Sequence, residues 1–155
     1  MRGLLFTMDA SLYALRLAAL DEVLPMALLR PVPGGHSALL GLLNLRGNQV
    51  PVVDLALSCM GRAEPEGLRT RIAVLSATPD SPKPLGVALA STGEIVDVDA
   101  HDEKHWAACP VRSTGLPFLG SVGTHEGRTL QWIDAVKLRS AISALIGLEE
   151  GCARV

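Results

Sequence analysis

Two histidines four residues apart are the first residues whose types and spacing could do chemistry. In the run HDEKH at 101–105, His101 and His105 would lie on one face of a helix and could ligate a metal ion. Helical zinc sites of this kind need Glu directly after the first histidine, and Asp102 stands there instead. No third ligand is evident. We therefore interpret 101–107 as a short, solvated, charged helix and expect no tightly bound metal.

Other reactive side chains lack the sequence context that catalysis needs. Ser58, Cys59 and Ser113 are not in the glycine-flanked turn that exposes a catalytic nucleophile. The glycines between 115 and 123 form neither a dinucleotide fingerprint nor a Walker phosphate loop. We therefore expect no catalytic residues, no cofactor and no enzymatic turnover.

Composition favours a globular protein with a sizeable core. The chain has 155 residues, of which 48% are hydrophobic and 19% charged, and its net charge of −2 offers no basic surface for nucleic acid. No apolar run is long enough to cross a bilayer, and the first residues do not resemble a secretory leader. We therefore expect a cytoplasmic location. Three separated cysteines, at 59, 109 and 152, predict neither a disulfide framework nor a zinc site.

Short apolar runs separated by turn residues predict a mostly β first half. Strands are expected at 4–8, 12–17, 22–26, 40–46 and 49–55. Gly47-Asn48 is a plausible tight hairpin turn between the last two strands. Pro51 has no N–H to donate, so we expect a strand edge or a bulge there. A helical turn is expected at 55–60.

The second half repeats this order and ends in a helix. Strands are expected at 72–76, 85–89, 95–98, 117–122 and 128–133. Apolar residues at helical spacing, with Asp134 as the cap, predict an amphipathic helix within 134–147.

A weak internal duplication supports two similar lobes. An offset of 72 residues places Glu22 over Glu94, and an offset of 80 places 47–54 over 127–134. Many short strands with regular turns favour a barrel or a sandwich. We therefore predict two β-lobes of about five strands each.

The most informative segment is GLLNLRGNQVPVVDL at 41–55. Asn44 and Arg46 alternate with leucines, so both should face away from the apolar side of a strand. Gly47 permits the positive φ of a tight turn, and Asp54 can cap the helical turn that follows. From these residues alone, Arg46 is equally well interpreted as a binding residue or as a simple solvated charge.

This segment resembles the signature of the CheW-like family, roughly G-x-x-N-L-R-G-x-x-x-P-V-x-D-L. Residues 13–15 and 21–24 fall where that family has its first strands, and Gly86-Val87 and Ile95 match its second lobe. The resemblance implies a single domain over 1–155, built of two SH3-like five-stranded β-barrel lobes with a C-terminal helix. The expected lobes are 1–66 plus the helix at 134–147, and 67–133.

The same resemblance implies a non-catalytic adaptor of chemotaxis. Such a protein holds the cytoplasmic hairpin tip of a chemoreceptor to the regulatory domain of a CheA-type histidine kinase. The partner-binding residues that the family implies lie around a groove between the lobes: Glu22, Gly41, Asn44, Arg46, Ile72, Gly86 and Ile95. An adaptor of a pilus or surface-motility system, a detached kinase regulatory domain and a structural β-protein remain alternatives.

Overall fold

The computed structural model describes residues 2–63, 67–79, 82–97 and 118–148. Its strands are β1 (Arg2–Met8), β2 (Ser11–Arg16), β3 (Leu20–Pro25), β4 (Leu39–Leu45), β5 (Asn48–Asp54), β6 (Thr70–Leu75), β7 (Leu85–Asp97), β8 (Leu119–His125) and β9 (Arg128–Ile133). Its helices are α1 (Leu55–Met60) and α2 (Ala135–Ile146), and a 3-10 turn spans Leu17–Ala19. The prediction of a mostly β chain with a C-terminal helix is confirmed. The expected helix at 101–107, which carries His101 and His105, lies outside the described residues, and so does Ser113.

The strand pairings form two groups of five strands that share β7. Group A follows the order β3, β6, the first half of β7, β5 and β4. Group B follows the order β8, β9, β2, β1 and the second half of β7. All these strands belong to one mixed sheet. This arrangement is consistent with two SH3-like lobes.

The two groups repeat the same topology, and each takes strands from both halves of the chain. β5 pairs in parallel with β7 in group A, and β9 pairs in parallel with β2 in group B. β3 pairs antiparallel with β6 in group A, and the second half of β7 pairs antiparallel with β1 in group B. The predicted duplication therefore appears as two groups of the same topology, and each half of the chain gives strands to both groups. The lobe limits of 1–66 with 134–147, and 67–133, stay a prediction.

Strand alternation places most core strands between two hydrophobic clusters. Val50 and Val52 of β5 face the group A core, whereas Val53 faces a larger cluster that both groups and α2 cover. In the same way, Leu5 of β1 faces the group B core, and Leu4 faces that shared cluster. Because both faces of such strands are buried, their sequences are nearly continuous apolar runs.

Two local predictions need correction. The hairpin turn lies at Arg46-Gly47 rather than Gly47-Asn48, because these two residues have φ values of 50° and 85° and Asn48 already pairs with Leu45. Such a pair of positive φ values is typical of a two-residue hairpin turn. The strand expected at 95–98 is the end of β7, which continues through a bulge containing Gly93 at φ 82°.

Candidate functional site

Glu22 is placed by the alternation of β3. Leu20, Glu22 and Leu24 are half-buried, whereas the residues between them are exposed. Leu24 packs on the group A core, so the carboxylate of Glu22 lies on the same side, at the margin of that core. Its side chain is only 25% exposed. A carboxylate partly removed from water needs a charged or hydrogen-bonding partner.

Arg46 supplies that partner from the β4–β5 turn. Its Nη2 lies 2.5 Å from Oε1 of Glu22 and donates a hydrogen bond to it. The hydrogen bond and the charge of Glu22 raise the pKa of the Arg46 guanidinium above its ordinary value. The Arg46 side chain is still 72% exposed, so most of the guanidinium faces solvent. An exposed arginine with five donors can bind a second acceptor beside Glu22.

Asn44 shapes the turn that carries Arg46. Its Oδ1 accepts a hydrogen bond of 3.0 Å from the backbone N–H of Gly47. This bond satisfies a turn amide and helps to hold Arg46 in its left-handed conformation. Asn44 is exposed, as expected, and it also lines a surface cavity.

Gly41 permits a close approach of two backbones. A Cβ at this position would lie 2.6 Å from the carbonyl oxygen of Arg30 and 3.0 Å from Cβ of Leu29. Arg30 exchanges backbone hydrogen bonds of 2.9 and 2.8 Å with Leu42. Gly41 therefore lets the segment after β3 lie against β4, which fixes the surface beside the hairpin.

Ile72 and Gly86 support the site from beneath. Ile72 is fully buried in the group A core, and Gly86 is also buried. A Cβ on Gly86 would lie 3.0 Å from Cγ2 of Val52 and 3.2 Å from Cγ2 of Ile72. Because both residues are buried, we propose that they act by setting the packing under β3 and β5.

Ile95 lies apart from these residues, on group B. It is 50% exposed and pairs with Leu4 of β1. By the offset of 72 residues it corresponds to Val23 of group A, which is 38% exposed. The structure thus brings Glu22, Asn44 and Arg46 together at one end of group A. Ile95 lies on group B, at the position that corresponds to Val23 of group A.

A surface cavity beside the hairpin was not anticipated from the sequence. It has a volume of about 450 Å³, and its lining residues come from β4, β5 and the segment after β3: Leu28, Leu29, Arg30, Pro31, Leu42, Asn44 and Gln49. Leu28 is 99% exposed. Its local pattern carries no signal of this exposure, since a leucine between strands is normally interpreted as core.

The thiol of Cys59 and the phenol of Tyr13 are not activated as nucleophiles, because the pKa of each is raised. Burial raises the pKa of the Cys59 thiol to about 12, and the Asp54 carboxylate adds to this shift. Burial also raises the pKa of Tyr13 above its ordinary value. Both side chains are therefore protonated at neutral pH. Within the described ranges, neither helix is long and apolar enough to cross a membrane.

The fold and this surface define a mostly β protein with an arginine–glutamate pair at an exposed hairpin. Residues 2–142 match the CheW-like domain family. The chain therefore belongs to that family.

One solved structure shows the same fold. The scaffolding protein TtCheW from Thermoanaerobacter tengcongensis superposes with a TM-score of 0.71 over 85% of this chain and 82% of that chain, at 19% sequence identity. Among curated proteins no similar sequence was found.

Proposed function

We propose that this chain is a non-catalytic cytoplasmic adaptor that couples chemoreceptors to a CheA-type histidine kinase. Membership of the CheW-like family supports the adaptor class. The observation that carries the proposal is the Arg46–Glu22 pair, which presents an exposed guanidinium at the margin of the group A core. An exposed guanidinium of this kind is suited to bind a carboxylate or a carbonyl oxygen of a partner.

The receptor contact would combine charge with apolar burial. Arg46 can form charge-assisted hydrogen bonds with a carboxylate or with the carbonyl oxygens at a helix end. Glu22 orients the guanidinium before the partner arrives, so less side-chain freedom is lost on binding. Leu28 and Leu40, which are 99% and 38% exposed, offer apolar area near β4 for one face of a receptor helix.

We place the kinase contact on a different part of the predicted first lobe, which comprises residues 1–66 and the helix at 134–147. The regulatory domain of a CheA-type kinase has a related fold, so a β-to-β contact with it is the natural arrangement. Separate surfaces are needed because an adaptor must hold both partners at the same time.

The test is a bridging experiment with purified components. A receptor cytoplasmic fragment on beads should retain the kinase regulatory domain only when this chain is added. Each partner should also bind the chain alone. If neither fragment binds the chain at concentrations well above typical cellular levels, the coupling function is wrong.

A further inference from the structure

A second charged cluster lies on group B, at the end of β7 and the β8–β9 turn. Nε2 of His125 lies 3.4 Å from Oε2 of Glu94 and 4.0 Å from Oε1 of Glu126. One potential ligand atom from each of the three residues falls within 4.8 Å of the other two. Three different residues on two elements thus converge on one point.

This cluster occupies the position that the Arg46–Glu22 pair occupies on group A. Glu94 corresponds to Glu22 by the offset of 72 residues, and Glu126 corresponds to Arg46 by the offset of 80. Glu126 even repeats the turn conformation, with φ 51° against 50° for Arg46. In group A the turn residue is a cation that neutralises the strand carboxylate. In group B the turn residue is a second carboxylate, and a cation bound between the two carboxylates would take the place of the guanidinium.

His125 is suited to hold that positive charge as a ligand. Its Nε2 is buried, and it has no hydrogen-bond partner among the described residues although two carboxylates face it. An Nε2 atom left in this state normally costs stability unless something binds to it. Its distance of 3.4 Å from Glu94 is close to the roughly 3.3 Å that separates two ligands of a tetrahedral zinc ion.

We propose that Glu94, His125 and Glu126 form an exchangeable site for a divalent transition-metal ion such as Zn²⁺. One imidazole nitrogen with two carboxylate oxygens suits Zn²⁺ and its neighbours better than Mg²⁺ or Ca²⁺, which prefer oxygen ligands alone. The Glu94 and Glu126 side chains are 56% and 75% exposed, so Glu126 can turn toward the ion and water can complete the coordination. The ion would link β7 to the β8–β9 turn.

This site is distinct from the histidine pair at 101 and 105. It shares no residue with that pair, and because its two carboxylate side chains are largely exposed, its ion would exchange with solvent. The proposal also does not depend on receptor binding, because none of its residues belongs to the Arg46–Glu22 pair.

Zinc binding to the full chain tests the proposal. After dialysis against a chelator, the protein is titrated with ZnCl₂ by calorimetry, and its melting temperature is measured with and without Zn²⁺. We expect saturable binding of one ion per chain and a rise of the melting temperature with Zn²⁺, since an ion that binds only the folded state stabilises it. His125→Ala and Glu94→Gln should each weaken binding by at least about tenfold.

Matched variants separate this site from other ligands. Glu22→Gln removes the corresponding carboxylate of group A, and the double variant H101A/H105A removes the other histidine pair. Both should bind Zn²⁺ like the unchanged protein. If His125→Ala loses its fold, Glu94→Gln decides the question, because Glu94 is exposed. Absence of saturable binding, or binding that Glu94→Gln leaves intact and H101A/H105A abolishes, would overturn the proposal.

Discussion

Arg46 combines a constrained backbone with an exposed charge. Its φ of 50° fixes it as the first residue of the hairpin turn, and Glu22 holds its guanidinium. The direction of this side chain therefore follows from the turn and from the ion pair together. A partner meets an arginine that is already oriented.

Replacement of Arg46 should weaken receptor binding without loss of the fold. We expect Arg46→Ala to reduce affinity for a receptor fragment by about tenfold, which is the scale of a modest hot spot. Arg46→Lys should restore only part of this affinity, because an ammonium cannot form the bidentate contacts of a guanidinium. Binding of the kinase regulatory domain should not change. Titration of each partner separately, with a thermal melt of each variant, checks all three outcomes.

Arg62 offers a closely matched control for this prediction. It also pairs with a carboxylate, that of Asp9, and its side chain is 71% exposed against 72% for Arg46. Arg62→Ala should leave receptor affinity unchanged. Equal losses in the two variants would mean that net charge, and not the position of Arg46, drives binding.

The two glycines that flank this site should differ sharply in their tolerance of a side chain. Gly47 has φ 85°, but a Cβ added there would meet only open space, so Gly47→Ala should cost about 1 kcal/mol of backbone strain. At Gly41 the φ of 150° is combined with a contact of 2.6 Å between an added Cβ and the carbonyl oxygen of Arg30. Gly41→Ala should therefore cost roughly 2–4 kcal/mol. Urea unfolding measures both free energies, and similar values would show that the two backbones can move apart.

Residue types predicted the exposed side chains of this hairpin but not their partners. Alternation along β4 correctly placed Asn44 on the outside, because it depends only on the period of a strand. The bond from Gly47 N–H to Asn44 depends on which two residues take positive φ. Because Arg46 and Gly47 take positive φ, the turn lies one residue earlier than predicted, and Arg46 belongs to the turn instead of the strand. The contact of Glu22 with Arg46 joins residues that are distant in the chain, so it has no local signature in the sequence.

At the scale of elements, the helix caps are the best preserved part of the duplication. Asp54 precedes α1 and accepts a hydrogen bond of 3.0 Å from Leu57 N–H. Asp134 precedes α2 and accepts bonds of 3.1 Å from Val136 and Lys137. Both helices end at a glycine in the left-handed conformation, Gly61 and Gly147. Caps are local signals, so the sequence predicted both helices closely.

Loss of these caps should destabilise the protein by different amounts. Asp54→Ala should cost about 2 kcal/mol, because Asp54 is buried and its loss leaves the half-buried Leu57 amide without its acceptor. Asp134→Ala should cost about 1 kcal/mol, since Asp134 is exposed and water can replace it. Asp→Asn at either position keeps the acceptor and should lose less than half as much. Urea unfolding of the four variants would contradict this account if Asn and Ala were equally harmful, because charge would then matter more than the hydrogen bond.

The limits of strand prediction also belong to this scale. The sequence predicts separate strands at 85–89 and 95–98 because the polar run between them does not alternate. The structure joins them through a bulge at Gly93. The pairing of β7 with β1 offsets the free energy that this bulge costs. Tertiary pairing of this kind has no local signature in the sequence.

At the scale of the molecule, the exchange of strands makes the two halves depend on each other. Group A needs β6 and β7 from the second half, and group B needs β1 and β2 from the first. The sequence predicted two similar lobes because the duplication repeats local patterns. It could not show which copy of each strand pairs with which, because both copies have similar apolar alternation.

This exchange predicts that neither half is a folded monomer. We expect a fragment of residues 1–65 and a fragment of residues 66–155 each to lack a cooperative thermal transition as a monomer. The first fragment loses pairing partners of β1, β2, β3 and β5, the second loses partners of β6, β7 and β9, and each loses about half of the shared cluster. Mixed together, they should form a one-to-one complex with the circular dichroism spectrum and the cooperative melt of the intact chain. A control tests the effect of the cut itself. When a protease cuts the folded chain between α1 and β6, the two pieces should stay associated on gel filtration.

The duplication adds a second route that gel filtration distinguishes. A first-half fragment carries β1 and β3, so in a pair of such fragments β3 of one copy could take β1 of the other, as the second half of β7 does in group B. Such a fragment would fold only as a dimer, and its melting temperature would rise with protein concentration. A first-half fragment that melts cooperatively as a monomer would contradict the exchange, because its strands would then find all their partners within one half.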